Sequence, residues 1–167
     1  DALPISNIND LKAVQKIFTQ FQPDIVSHYA GHISLRKSFD QPVDDAQTNI
    51  LGTINVLQCA GEQDVQHFIY ASSGGALIDP KEKNFPVPEQ DNPHPLSPYG
   101  LAKLCAEKYV QLLGQQYGFR TTIFRYANVY GPYQTPASET GIISIFCEQM
   151  LQEIGRASCR ERVYTKV

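Results

Sequence analysis

His67-Phe-Ile-Tyr-Ala-Ser72, closed by Ser73-Gly-Gly75, decides how this chain folds. Aromatic and β-forming side chains stopped by a turn-forming cluster predict a short buried strand. Residues 76–97, rich in Pro, Asp and Asn, read as a long loop. Residues 98–117 then carry a helix's punctuation: Ser97 to cap it, Pro98 in its first turn, Gly118 to close it. Arg120-Thr-Thr-Ile-Phe-Arg-Tyr126 predicts the next strand. Strand, helix and strand in that order predict a crossover between parallel neighbours.

The alternation continues outward. Residues 8–20 have helical apolar spacing, and Asp24-Ile-Val-Ser-His-Tyr29 reads as a short buried strand. Residues 41–63 predict a long helix, with Pro42 near its start and Gly61 near its end. A last helix is predicted over 138–152. The fold class is therefore α/β, a parallel sheet covered on both faces. There is no internal repeat.

The chain has 167 residues, enough for one domain with a core, and a net charge of −3 without a basic tract. That balance gives nucleic-acid binding little support. No apolar run reaches the length of a membrane span, and no signal peptide is visible. Cys59, Cys105, Cys147 and Cys159 are scattered, without a C-x-x-C pair. This predicts neither a zinc site nor a disulfide framework, but reduced, mostly buried thiols in a cytoplasmic protein. Both ends break the pattern. Residues 1–6 and 153–167 resemble translated sequencing-adaptor sequence and are set apart from the domain, 7–152; a fraying polar tail is the other reading.

Tyr99-Gly-Leu-Ala-Lys103 sets a phenol and an ammonium on one face of a helix, at its start. The helix N-terminus and the lysine charge both favour a phenolate. A free tyrosine titrates near ~10, so the pair predicts a tyrosine lowered toward service as a base. A lone Tyr-x-x-x-Lys also arises by chance on amphipathic helices, so its neighbours matter. A structureless loop of about twenty residues is unusual and often functional. In open parallel sheets, ligands bind beyond the C-terminal ends of strands. Ser72, Ser73, Tyr99, Lys103 and the segment after Tyr126 are thus expected around one crevice.

Five segments occur in order: His28-Tyr-Ala-Gly-His32, Asn49-Ile-Leu-Gly-Thr53, Ser72-Ser-Gly-Gly-Ala76, Ser97-Pro-Tyr-Gly-Leu-Ala-Lys103 and Arg125-Tyr-Ala-Asn-Val-Tyr-Gly-Pro132. With them the chain resembles the extended short-chain dehydrogenase/reductases, the NAD-dependent epimerase/dehydratase group. Within that group it is most similar to the UDP-glucose 4-epimerases and their relatives. The resemblance implies a partial Rossmann-like, doubly wound parallel sheet, lacking its N-terminal βαβ unit and its C-terminal substrate domain. It implies NAD as cofactor, a nucleotide-sugar substrate, neither nucleic acid nor membrane as partner, and a homodimer through the long helices, 98–117 included. The activity it implies for the complete protein is 4-epimerisation by transient oxidation at C4.

The resemblance also implies roles. Tyr99 matches the catalytic tyrosine, and Lys103 the lysine that holds the nicotinamide ribose and lowers the tyrosine pKa. Ser73 matches the hydroxyl that bonds the sugar 4-oxygen. Ala30, Gly31 and His32 match a loop running past the cofactor, with Asn49 in the helix beside it. Ser72, Tyr126 and Ala127 belong with the cofactor's surroundings, and Asn128 matches an asparagine on the substrate diphosphate. Plainer readings stand beside these: Lys103 as a solvated helix residue, Tyr99 as a loop anchor, Asn49 bonding backbone, Ser72 and Ser73 as turn residues, Asn128 capping the Gly131-Pro132 turn. His28 reads as a packed strand histidine, and His94 carries no functional signal.

The chain departs from the family pattern in two places. Leu77 runs into Ile78-Asp79-Pro80, one residue short of the usual Tyr-Gly, and by that count Gly74 rather than Ser73 falls at the catalytic Ser/Thr position. No G-x-x-G-x-x-G turn for a pyrophosphate occurs either; the family places it upstream. Dehydratases need an acid–base pair where this chain has Gly74-Gly75, which argues against 4,6-dehydration, and decarboxylases are disfavoured similarly. A ketosugar reductase stays open, as does an inactive gene fragment.

Overall fold

The computed structural model describes residues 6–79, 81–82, 86–134 and 141–152. The chain divides into two compact units, Asp1–Ala127 and Asn128–Val167.

In the first unit, β1 (Ile25–His28), β2 (His67–Ser73) and β3 (Arg120–Tyr126) form a parallel sheet in the order β1-β2-β3. Ile25 pairs with His67, which pairs with Arg120, so the strands start level. The helices are α1 (Leu11–Phe21), α2 (Leu35–Asp40), α3 (Pro42–Ala46), α4 (Thr53–Glu62) and α5 (Pro98–Tyr117). Between α3 and α4, Gln47–Gly52 winds as π-helix, so one run continues from Pro42 to Glu62. The long helix expected over 41–63 is therefore present, but with a wider middle.

Alternation along β2 sends Phe68, Tyr70 and Ser72 to one face, all buried. There Phe68 and Tyr70 meet Val56, Leu57 and Ala60 of α4, and Ala106 and Val110 of α5. Val14 and Phe18 of α1 join the same core. Phe68 and Leu57 are fully buried, each worth ~2 kcal/mol of apolar transfer. The other face is thinner: Ile25 is 58% and Phe124 45% exposed. Coverage on both faces, as the alternation predicts, is thus complete on only one among the described residues.

Helix α1 starts three residues later than its periodicity predicts, because Asp10 caps it by accepting from the Ala13 amide at 3.1 Å. Helix α5 and strand β3 match their predicted spans. Helix α2, capped by Ser34, has no counterpart among the helices expected from the sequence; six residues are too few to show a period. Between Ser73 and Pro98 no described residue is helical or extended in a sheet. That loop is pinned through buried Leu77, whose carbonyl accepts from the His94 amide at 2.9 Å.

In the second unit, α6 (Ile142–Leu151) fills most of the helix predicted over 138–152, residues 138–140 lying outside the described ones. Cys59 is buried, Cys105 half-buried and Cys147 exposed, all free; Cys159 and residues 1–5 and 153–167 also lie outside the described residues. The thiols are thus less uniformly buried than expected. No helix among the described residues is long and apolar enough to cross a membrane.

Candidate active site

Tyr99 is placed by its own helix start. Ser97 Oγ accepts from the Gly100 amide at 3.0 Å, and Pro98 occupies the first turn. Gly100 is required here, because a Cβ would fall on the carbonyl oxygen of Ala76. The start of α5 is thereby pressed onto the loop after β2. The Ser73 hydroxyl, at the end of that strand, lies near enough to the Tyr99 phenol to favour its ionised form. Ser73 Oγ also accepts from the Ala76 amide at 3.3 Å. Of Ser73 and Gly74 only Ser73 carries a hydroxyl, and it opposes the rise of the Tyr99 pKa.

One helical turn on, Lys103 is only 5% exposed. Its Nζ donates to the Ala71 carbonyl at 2.9 Å and lies 5.0 Å from the Tyr70 ring centre and 5.9 Å from that of Tyr99. The reading of Lys103 as a solvated helix residue fails on this burial. Burial holds its pKa down at about 8, with the Asp45 carboxylate pulling it up.

The expectation of a lowered Tyr99 needs correction. Its pKa is raised in this structure: burial dominates, the Ser73 hydrogen bond opposes it, and the Asp45 charge adds to it. Desolvation of a phenolate outweighs the helix terminus and the lysine.

The His28–His32 loop is bound to the π-helical segment. Asn49, 1% exposed, accepts from the His32 amide at 2.9 Å and donates to the His32 carbonyl at 3.2 Å. The Asn49 amide thus completes a backbone-like pair with the loop. Gly31 sits tightly between them: a Cβ there would lie 2.5 Å from Asn49 Oδ1 and 3.7 Å from Lys103 Nζ. Ala30 and His32 are exposed. Tyr29 and Tyr126, from the ends of β1 and β3, join hydroxyls at 2.7 Å. That bond, with lesser help from desolvation and the Tyr29 charge, raises the Tyr126 pKa.

Ser72 faces elsewhere. Its hydroxyl donates to Glu107 Oε1 at 2.6 Å in the buried layer between β2 and α5. Asn128 is exposed and opens the second unit. His28 is packed as expected, 4% exposed, with ring contacts to Phe68 and Tyr70. Thr53 Oγ1 donates to the Asn49 carbonyl at 2.8 Å. Its single proton is thus committed, so His28 Nε2, 3.0 Å away, is the donor to Thr53.

Asp45 and Glu107 escape the motif reading, and Arg125, which opens one of the five segments, is given no role by it. Asp45 is 2% exposed, and its Oδ1 accepts from Asn49 Nδ2 at 2.9 Å. Glu107, 1% exposed, lies one turn past Lys103 and is gripped by Arg125. The spacing Asp45-x-x-x-Asn49 and the run Tyr99, Lys103, Glu107 at four-residue steps are the signals that would have found the first two.

A parallel sheet with a buried lysine one helical turn past a tyrosine, near the C-terminal end of its middle strand, has counterparts among known proteins. A UDP-glucose 4-epimerase of Thermotoga maritima, solved with UDP-glucose, superposes with a TM-score of 0.84 at 41% identity, over 88% of this chain and 48% of its own. The Thermus thermophilus UDP-glucose 4-epimerase, solved with NAD, gives 0.80 at 35% identity, over 90% and 49%. A Methanocaldococcus jannaschii protein with a provisional UDP-glucose 4-epimerase name is 45% identical over 77% of this chain and 42% of its own length. Relatives at 34% and 36% identity include a human dTDP-D-glucose 4,6-dehydratase and a Pseudomonas aeruginosa GDP-6-deoxy-D-mannose reductase. The chain spans less than half the length of each protein just named. The family model that matches it runs over residues 3–164, nearly its whole length. On that match, and on the relatives that share its fold, the chain belongs to the NAD-dependent epimerase/dehydratase family.

Proposed function

We propose that the complete protein is a nucleotide-sugar 4-epimerase of the UDP-glucose/UDP-galactose type. The observation that carries this reading is the buried Lys103 ammonium, 5.9 Å from the Tyr99 ring centre, with the Ser73 hydroxyl near the phenol. NAD is the cofactor in this reading. The residues fit its nicotinamide-ribose end. Lys103 Nζ spends one of three donors on Ala71, leaving donors for ribose hydroxyls. Gly31 keeps the space before Asn49 and Lys103 free of a side chain. The glycine-rich turn for the pyrophosphate is absent from this sequence, so the chain supplies one end of the site.

Bound NAD supplies the reversible acceptor for the hydrogen on C4. Tyr99 takes the proton of the 4-hydroxyl and later returns it. Ser73 orients the 4-oxygen by hydrogen bonding. Lys103 stabilises the phenolate electrostatically, in a site dry enough for one charge to matter. Burial raises Tyr99, so the positive charge of the loaded site must bring it down. Asn128 is assigned to the substrate diphosphate, and Ala30, His32, Tyr126 and Ala127 to the cofactor's border. Ser72 acts there only indirectly, since its hydroxyl is held by Glu107.

A homodimer through α5 accompanies this reading. That helix buries Ala102, Ala106 and Val110 inward yet leaves Leu101, Tyr109 and Leu112 exposed, so it is apolar on two faces. The deciding experiment expresses the complete reading frame, adds NAD and offers UDP-galactose, reading mass and sugar identity together. UDP-glucose at unchanged mass supports the reading. Loss of water would instead mean a dehydratase. Turnover of a 4-keto nucleotide sugar with NAD(P)H, and none of UDP-galactose, would mean a reductase.

A further inference from the structure

Asp45 is a buried carboxylate that, unlike Glu107, has no hydrogen-bonded cation, and the mechanism above does not use it. It projects from α3, which packs against α5. One oxygen holds Asn49; the other, Oδ2, is buried and accepts no hydrogen bond. A buried carboxylate without a compensating partner is costly. Burial raises the Asp45 pKa, opposed by His32 in the loop after β1, by the Asn49 hydrogen bond and by Lys103 of α5; the Tyr99 phenol feels the carboxylate too. Helix α2 packs on both α3 and α5, but its Arg36, Lys37 and Asp40 are exposed. Lys103 in turn faces His28 on β1, Tyr70 on β2, Tyr99 on its own helix and Asp45. Asp45 is the only acid in that set. It also anchors the asparagine that fixes the loop beside Lys103.

We propose that Asp45 is a positioning residue for the Tyr99–Lys103 pair: it locks Asn49 against the His32 backbone and balances the Lys103 ammonium across the α3–α5 contact. The inference rests on Tyr99 and Lys103 being the working pair. Two independent facts support it, the Asp45–Asn49–His32 chain of bonds and the burial of opposite charges on packed helices. Burial presses Lys103 toward the neutral amine, and Asp45 opposes that. With the carboxylate gone, the ammonium would lose its proton nearer neutrality, where a phenolate most needs it.

The test is a titration of lysine ¹³Cε shifts by NMR in this chain, with Lys103 assigned by Lys103→Met and exposed Lys108 as internal reference. The unsubstituted chain should show Lys103 titrating near 8. Asp45→Asn keeps the shape and removes the charge; it should lower that midpoint by about one pH unit and leave Lys108 unmoved. Asp45→Glu should restore it. An unchanged midpoint in Asp45→Asn overturns the proposal. So does a rise, which would mean that Asp45 only holds the core closed. If Asp45→Glu titrates as low as Asp45→Asn, shape and not charge is at work, and the proposal also fails. No substrate is involved, so a failed titration leaves the epimerase reading standing, and a failed epimerase assay leaves the titration interpretable.

Discussion

Arg125 grips Glu107 with two hydrogen bonds, Nε to Oε1 at 3.0 Å and Nη2 to Oε2 at 2.7 Å. The pair ties β3 to α5 just beyond Lys103, and Ser72 adds a third bond from β2. The Glu107 hydrogen bonds raise the Arg125 pKa, so the guanidinium stays charged. Arg125→Ala should strand a buried carboxylate and cost ~3 kcal/mol. Urea unfolding should show this as a lower midpoint, with Arg125→Lys in between because it loses the two-pronged grip. A midpoint unaltered by Arg125→Ala would show the pair to be idle.

Tyr99→Phe removes the phenol hydroxyl but keeps the ring whose centre lies 5.9 Å from Lys103 Nζ. In the complete enzyme, kcat should fall by ~10²-fold or more, with NAD affinity nearly unchanged. Steady-state kinetics with cofactor titration measures both. Retention of most of kcat would remove Tyr99 from the chemistry.

Gly31→Ala tests the tight seat of the loop. The new Cβ would overlap Asn49 Oδ1, so either the asparagine or the loop must give way, at a cost of ~1–3 kcal/mol. Because Asn49 carries both bonds to His32, NAD binding should weaken as well. Calorimetric titration of NAD into the complete enzyme, beside a thermal melt, reads both effects. Full affinity with an unchanged melt would mean that the loop is not held there.

His28 predicts how the fold responds to acid. Burial chiefly, and then the Lys103 charge, holds its pKa at about 4, below the 6.5 of a free imidazole. The unfolded chain therefore takes up the proton first. The stability His28 contributes is complete above pH 6.5 and is lost as pH falls through about 4. The total is ~3 kcal/mol. His28→Gln should flatten that slope while keeping a donor for Thr53. Denaturation at pH 7, 5.5 and 4.5 compares the two, and equal slopes would refute the assignment.

These residues also show what a sequence can reveal. Helix α5 is legible because both its ends carry residues with one strong preference, Ser97-Pro98 and Gly118. Strands β2 and β3 are legible from composition and bounding turns. Helix α2 is not, because one and a half turns cannot establish a period. Tyr99 and Lys103 are visible as a spacing, but the sign of the tyrosine shift is not. It depends on how much water the loop above excludes, a sum over residues far apart in the chain. Asp45 is harder still. An acid after a helix's proline reads as a solvated first-turn residue, and only the packing of α3 on α5 buries it.

The π-helical stretch Gln47–Gly52 sets the angular phase between α3 on its N-terminal side and α4 on its C-terminal side. One residue of an α-helix is worth about 100° of rotation. A wide turn thus lets Asp45 on α3, and Asn49 within the wide stretch itself, face the same interior as Val56 and Leu57 of α4. A wide turn holds about one residue more than an α-helical one. Removing a single residue between Gln47 and Gly52 would therefore act as a shortening rather than a twist: α3 would draw closer to α4 while Asp45 kept its bearing toward Lys103.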